Sequence, residues 1–444
     1  MATASKLTQK AGLIDRLNRA RKMTDELFGI LHPQALYQRP IAERHRIIFY
    51  IGHLEAFDWN LFLAEQPSLT PFRPGYDRLF AFGIDPVGGT LPTDQPHDWP
   101  AVEQVYEYRD EVRKRLDSFL DAQTLAEPGD LALAPLPVLL HTAIEHRLMH
   151  AETLAYMFHR LPFDCKIPQE QHDWQGAEAA PELINVPAGK ATLGLERSSS
   201  AVFGWDNEFE AHRVDVPSFR IDKYMVRNAE FVHFVLDGGY RESRHWTPVD
   251  WDWISEKQIG RPAFWMEEGN GWLYRGMFEA IALPLDWPVY VSHAEASAYA
   301  RWAGKVLPTE AQWQRAAHGV PDGAERAYPW GSDEHFAGRG NFDCARWDAA
   351  PVCGSVNNVS AFGAVGMLGN GWEWTSTEFA PFPGFQPFPF YPGYSASFFD
   401  GQHFVMKGGS SRTATPLLRR SFRNWFQPHY QYAYAGFRCV SNKN

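Results

Sequence analysis

Cysteine is scarce in this chain, basic residues are outnumbered, and no apolar run is long enough to cross a bilayer. Only four cysteines occur in 444 residues, Cys165, Cys344, Cys353 and Cys439. They form no CxxC pair and no regular spacing, which excludes a disulfide framework and makes a reducing cytoplasm the expected setting. Lysine and arginine number 42 against 53 acidic residues, for a formal charge of -11. Phosphate binding needs clustered basic side chains, so nucleic acid is not an expected partner. A spanning helix needs roughly 18 uninterrupted apolar residues, and no stretch approaches that, so no membrane association is expected. The segment Met1 to Arg21 alternates polar, basic and apolar residues, with neither an apolar core nor a small-residue cleavage site, and reads as a first helix rather than a leader.

What is present is apolar and aromatic. Hydrophobic residues make up 45% of the chain, with 17 Trp, 17 Tyr and 31 Phe, the composition of a folded protein. The length exceeds one ordinary core, and two domains are expected. From about Lys6 to Arg160 apolar residues return at three- and four-residue intervals, which predicts helices over Leu7–Leu31, Ile41–Glu65, Pro100–Leu120 and Leu136–Phe158 and hence a four-helix bundle. The stretch from Leu161 to about Glu182 has no clear period and marks the boundary. Beyond it lie short apolar runs broken by Gly, Pro, Asn and Trp, with a helix over His293–Ala303 and a second, capped by Thr309, running to His318. The predicted division is a helical domain over 1–165, a linker over 166–184, and a mixed domain over 185–444.

In the last bundle helix, Glu145-His-Arg-Leu-Met-His-Ala-Glu152 places His146 and His150 four residues apart, so both imidazoles project from one face and can share an ion. Glu152 lies about 200° around the helix from that pair and reads as a flanking partner or surface group. A third ligand has to come from another helix. His53 lies among Phe49, Ile51, Leu54 and Phe57, a buried setting in which a polar ring needs a partner. A core histidine bonded to a carbonyl is the plain alternative, and Glu55 and Asp58 are rival carboxylate ligands. His141 and His159 lie on other faces and read as solvated or structural.

Ordered segments of the second domain then carry a resemblance: Phe219 to Asn228, Phe234 to Tyr240, Arg301 to Glu310, Tyr328-Pro-Trp-Gly331, Gly369-Asn-Gly-Trp-Glu-Trp-Thr375, Lys407-Gly-Gly-Ser410 and Ala435-Gly-Phe-Arg-Cys439. They resemble the formylglycine-generating-enzyme, or sulfatase-modifying-factor, domain, a variant of the C-type lectin fold. The stretch Ser411 to Tyr430 lacks the cysteine pair of formylglycine-generating enzymes. With a DinB-like bundle in front, the whole chain resembles the ergothioneine sulfoxide synthases and their selenium-using relatives, the selenoneine synthases. The fold implied is an α bundle followed by an α+β lectin-like domain. The resemblance also implies ferrous iron held by His53, His146 and His150, and O2-dependent joining of sulfur or selenium to C2 of the imidazole of hercynine, the betaine of histidine.

Phe422-Arg-Asn-Trp425 resembles the family's hercynine-binding loop, which gives Asn424 and Trp425 to the substrate's amino-acid end. The aromatic faces of Trp425, Phe426, Tyr430 and Tyr432 are candidates for its quaternary ammonium, while Phe422 and Phe437 read as core. Met149 stands where the family often has a glutamine that assists hercynine. The loop Phe426-Gln-Pro-His-Tyr430 lacks the carboxylate-clamping arginine of amino-acid thiol users. That departure points to a neutral selenosugar donor bonded by Gln427, His429, Tyr430 or Asp85, and so to selenoneine synthesis, with a thiol donor and ergothioneine-type chemistry as the alternative. Tyr391 and Tyr394 are candidates for the proton-donating tyrosine of some members. Readings of other classes are a non-catalytic ligand-binding protein and a zinc hydrolase or transferase. No feature of the sequence fixes an oligomeric state.

Overall fold

The computed structural model describes residues 2–66, 68–81, 83, 91–123, 134–170, 180–197, 203–269, 271–355 and 357–441. The chain divides into two compact units, Met1–Gln169 with Pro389–Tyr391, and Glu170–Phe388 with Pro392–Asn444.

The first unit is helical: α1 Ala2–Gly29, α2 Ile47–Glu65, the short α3 Pro74–Leu79, α4 Val102–Ala122 and α5 Leu136–Arg160. α1 packs along α5, and α2 packs against both α4 and α5. α4 buries Val105, Tyr108, Val112, Leu116 and Phe119, an apolar stripe at helical spacing that leaves its other face to solvent. α2 has no such stripe. Its residues are apolar nearly all round, and Phe49, Tyr50, Ile51, Leu54, Ala56, Trp59 and Phe62 are all buried. α5 starts at Leu136-Pro137, where proline costs no intrahelical bond. From Thr142 to His159 only Met149 is not buried. α2 and α5 are therefore the central helices, and their polar side chains have to be satisfied inside the bundle. Lys166, placed by the sequence reading in the linker, is buried and donates to the Phe158 carbonyl at 3.1 Å.

The second unit contains β1 Leu183–Val186, β2 Gly189–Leu193, β3 His212–Val216, β4 Phe219–Asp222, α6 Asn228–Leu236, α7 Pro248–Glu256, β5 Trp265–Glu268, β6 Gly271–Arg275, β7 Ala280–Ala282, α8 His293–Trp302, β8 Lys305–Val306, α9 Glu310–His318, β9 Gly371–Glu378, β10 Phe404–Gly409, β11 Asn424–Phe426, β12 Ala435–Gly436 and β13 Val440–Ser441. Two four-stranded sheets have the orders β1-β4-β13-β8 and β11-β10-β9-β12. β2–β3 and β5–β6–β7 form smaller antiparallel sheets. α8 and α9 open with reciprocal capping boxes, Ser292 with Glu295 and Thr309 with Gln312. The core gathers Ile184, Val186, Phe219, Ile221 and Val440 of the first sheet against Trp313, Ala316 and Ala317 of α9.

The Gly369-to-Thr375 motif belongs to this framework. Gly369 has φ 86°, and a Cβ there would lie 2.8 Å from the Asn341 carbonyl oxygen, so the turn requires glycine. The Asn370 side chain accepts from the Ala350 amide and donates to the Ala350 carbonyl, each at 2.8 Å. Trp374 donates to the Val291 carbonyl at 2.9 Å. Phe422 and Phe437 are buried, as expected of core residues.

Candidate metal centre

α5 turns His146 and His150 to one side, and α2 delivers His53 to the same point. His150 Nε2 lies 3.1 Å from His146 Nε2 and 3.2 Å from His53 Nε2, and one ligand nitrogen from each ring falls within a common 4.8 Å. Nitrogens held about 2.1 Å from one ion at right angles would stand about 3 Å apart, so the spacing suits adjacent positions around a divalent metal.

The protonation state suits it too. Burial depresses all three pKa values: His53 falls to about 4, against a smaller upward effect of the Phe80 carbonyl, and His146 and His150 fall well below the usual imidazole range as each ring also opposes charge on its neighbours. Three neutral imidazoles therefore aim nitrogens at one point, the form in which histidine binds metal. For His53 the tautomer is fixed by its surroundings. Its Nδ1 donates to the Phe80 carbonyl at 2.8 Å, which leaves the Nε2 lone pair for a metal. The core-histidine alternative thus describes one edge of the ring, and the other edge meets two more histidines.

Aromatic rings set the orientation of the ligands. Phe49 stacks on His53 with centroids 4.9 Å apart, and Phe57 stacks on His146 at 3.4 Å. Gly52 lets the Phe80 ring approach α2, because a Cβ on residue 52 would lie 2.5 Å from that ring. The backbone that carries the carbonyl partner of His53 is seated by this contact.

The rival carboxylates face elsewhere. Glu55 accepts from Arg147 at 3.0 Å and from Arg113 at 2.8 Å, and Asp58 accepts from Arg147 at 2.8 Å. Burial alone would raise the Glu55 pKa, but Arg147 and Arg113 hold it down to about 2. These acids are committed to arginines, which corrects their reading as metal ligands. Glu152 is buried rather than on the surface, and His159 is buried too, while His141 is partly exposed. The sequence reading missed Arg147 and Arg113, and took Phe57 only as an apolar neighbour of His53, not as the ring stacked on His146. Arg147 alone carried a signal, as a charged residue between two inward-facing histidines.

Of the two candidate tyrosines, Tyr391 lies in the first unit, edge-on to Phe57 at 5.3 Å, and Phe57 is the ring stacked on His146. Tyr394 is buried in the second unit against Trp205, with centroids 3.9 Å apart. Met149 is partly exposed, between the two ligands of α5.

Asn424, Trp425 and Phe426 form β11, an edge strand paired with β10. Side chains alternate across a strand, so Trp425 projects to the face opposite Asn424 and Phe426. Trp425 stacks on Phe379 at 4.1 Å and meets Tyr394 edge-on at 5.5 Å. Tyr430 stacks on Phe426 at 4.6 Å and stands perpendicular to Tyr432 at 5.3 Å. His429 bonds Asp250 at 2.8 Å and stacks on Trp253 at 4.3 Å, so one of its ring nitrogens is already committed. Gln427 is exposed, and Asp85 lies outside the described residues.

Fold and site together define a two-domain protein, a helical bundle with a buried three-histidine centre followed by a lectin-like α+β domain. The sulfatase-modifying factor enzyme 1-like domain matches residues 169–443, and the chain belongs to that family. The DinB superfamily matches residues 16–154. Hercynine oxygenase of Mycolicibacterium smegmatis is 42% identical over 263 residues, covering 58% of this chain and 60% of that protein. Ergothioneine biosynthesis protein 1 of Neurospora crassa is 26% identical over 500 residues, covering 93% of this chain and 55% of that protein. The formylglycine-generating enzyme of Mycobacterium tuberculosis is 29% identical over 320 residues, covering 59% of this chain and 98% of that protein. The match thus spans 60% of the hercynine oxygenase and 55% of the ergothioneine biosynthesis protein. No helix among the described residues is long and apolar enough to cross a membrane.

Proposed function

We propose that the chain is an O2-dependent iron(II) enzyme of the ergothioneine sulfoxide synthase type, joining the sulfur of a thiol donor to C2 of the hercynine imidazole. The observation that carries this reading is the convergence of three neutral, buried imidazoles from α2 and α5. The similarity to hercynine oxygenase and ergothioneine biosynthesis protein 1 supplies the substrate class, and favours sulfur over the selenium that the loop chemistry alone suggested.

The reaction balances without a further reductant. A thiol, an imidazole C–H and O2 give a C–S(=O) linkage and one water. O2 accepts four electrons, two as the C–S bond forms and two as the sulfur gains oxygen, and the thiol and ring hydrogens leave in the water. Ferrous iron, when bound by His53, His146 and His150, supplies one-electron chemistry toward O2 and open positions for the reactants. The protein's part is positioning. Burial keeps the three rings unprotonated, and the Phe80 carbonyl fixes the His53 tautomer. Tyr391 is the proton donor through its phenol, held at the edge of the ring that stacks on His146. Met149 presents an apolar surface beside the ligands. Asn424 serves the hercynine carboxylate through its amide, Trp425 braces the strand from the opposite face by stacking on Phe379, and Phe426, Gln427 and Tyr430 serve the donor.

A selenosugar donor is a second reading, favoured by one observation: Phe426 to Tyr432 contains no arginine or lysine to clamp a donor carboxylate. Anaerobic loading with iron, followed by mass spectrometry of products from hercynine with cysteine, γ-glutamylcysteine, thiosugar or selenosugar, decides between them. Faster turnover with an amino-acid thiol is the expected result, and faster turnover with selenosugar reverses the choice of donor. Stoichiometric iron that is lost in His146→Ala and His150→Ala is expected, and iron binding unaffected by both changes would end the reading. Oxygen uptake on adding hercynine separates it from a zinc hydrolase and from a ligand-binding module.

A further inference from the structure

α2 has no polar stripe to tell it how to rotate against its neighbours, because apolar side chains cover nearly its whole circumference. A helix of that kind packs almost equally well after turning or sliding, yet a slip of one residue would shift His53 by about 1.5 Å and turn it by about 100°. Something directional has to select one arrangement. Buried ionic contacts between the two ligand-bearing helices run from Arg147 of α5, whose side chain is 0% exposed, to Glu55 and Asp58 of α2, 1% and 0% exposed.

These contacts span just over one turn of α2, from Leu54 to Asp58. Arg147 Nη1 donates to Glu55 Oε1 at 3.0 Å, while Nη2 donates to Asp58 Oδ2 at 2.8 Å and to the Leu54 carbonyl at 3.0 Å. The guanidinium is a rigid planar fork, so three acceptors at these positions fix both the rotation of α2 and its height along α5. Arg113 of α4 closes the cluster from the other side, bonding Glu55 at 2.8 Å and Asp25 of α1 at 2.7 Å. Arg147 follows His146 directly and precedes His150 by three residues, while Glu55 follows His53 by two. The ionic contact and the histidine contact are therefore two readouts of one helix register.

We propose that the Arg147–Glu55–Asp58 cluster is a registration device, and that its directional bonds, more than the apolar packing, bring His53 to the His146–His150 pair. Arg147 is thus a positioning residue, and the inference rests on the three-histidine reading of the site. Buried ion pairs replaced by apolar groups of similar volume often leave stability unchanged or raised. That property separates registration from simple stabilisation.

The test uses cobalt(II) alone as probe, with the full chain and its charge-free variant Arg147→Met/Glu55→Leu/Asp58→Leu. Cobalt affinity and the visible ligand-field spectrum report the coordination geometry, and urea unfolding of the metal-free protein reports stability. The expected result is a midpoint near that of the parent, with cobalt affinity lowered by about 10- to 100-fold and an altered spectrum. Parental affinity and spectrum in a folded triple variant would overturn the proposal. If the triple variant does not fold, Arg147→Lys decides, since it keeps the charge and loses the fork: cobalt affinity at least about tenfold weaker with parental circular dichroism supports registration, and unchanged affinity refutes it. His53→Ala distinguishes the underlying reading. If it binds cobalt as the parent does, the three-histidine site itself is wrong, and the registration proposal falls with it.

Discussion

At the scale of single residues, the properties of His53 follow from what surrounds its two nitrogens. Nδ1 is tied to a carbonyl and Nε2 points at two other rings, so a proton on Nε2 would face neighbours that also resist charge. The unfolded chain has no such restriction and protonates near the ordinary histidine value. Between that value and about 4, the unfolded state binds the proton and the folded state does not, so stability rises with pH in that window and is lost as pH falls through it. For His53 alone the loss in the metal-free protein amounts to about 3 kcal/mol between pH 7.5 and 4. Urea unfolding as a function of pH is expected to show this slope, shallower in His53→Ala. A flat profile from pH 7.5 to 5 would contradict it. The tyrosines divide at the same scale. Tyr391→Phe is expected to shift the product ratio from C–S joining toward thiol oxidation by about 100-fold or more, while Tyr394→Phe, in a ring packed on Trp205, leaves the ratio unchanged. The reverse pattern would move the proton donor to Tyr394.

At the scale of elements, Gly52 joins helix packing to ligand orientation. An alanine in mid-helix normally gains up to about 1 kcal/mol over glycine, but the added Cβ would fall 2.5 Å from the Phe80 ring. That ring has to move, and the carbonyl on His53 Nδ1 moves with it. Gly52→Ala is expected to lower metal affinity by about tenfold with little change in helix content. Unchanged affinity would show that the carbonyl is not what orients the ligand. α4 was legible in the sequence because its 3.6-residue apolar period survives, and α2, apolar nearly all round, because it is a long apolar run free of proline. α5 starts at Leu136 as expected, whereas α2 starts at Ile47 rather than Ile41, since Arg44-His45-Arg46 interrupts the apolar pattern. The His146–His150 pair was legible by spacing. Glu55 and Asp58 could not be separated from ligands, because their roles depend on which neighbouring helix each face of α2 meets. Tyr391 and Tyr394 lie in a segment without period, where spacing says nothing about direction.

At the scale of the second unit's architecture, short strands pair with partners far away in the chain, as Val440 does with both Ile221 and Val306. No local pattern encodes such an order, although family motifs fixed the fold class. Arg438 shows how the arrangement is held. It lies between β12, in one four-stranded sheet, and β13, in the other. Its side chain is fully buried and grips Glu373 of β9 through two bonds of 2.7 Å, while the same guanidinium donates to the Asp222 and Lys223 carbonyls at the end of β4 at 3.0 and 2.9 Å. One residue thus ties both sheets together. Removing it leaves the Glu373 carboxylate buried without its cation, though Trp313 still donates to it at 2.8 Å, and breaking such a pair costs about 3–5 kcal/mol. Arg438→Ala is therefore expected to lower the stability of this unit by that amount, and Arg438→Lys by nearly as much because a single ammonium cannot reproduce the planar fork. Glu373→Gln combined with Arg438→Met should lose less than Arg438→Ala, since it removes the stranded charge. Equal losses in urea unfolding would show that geometry at the junction matters more than the buried charge.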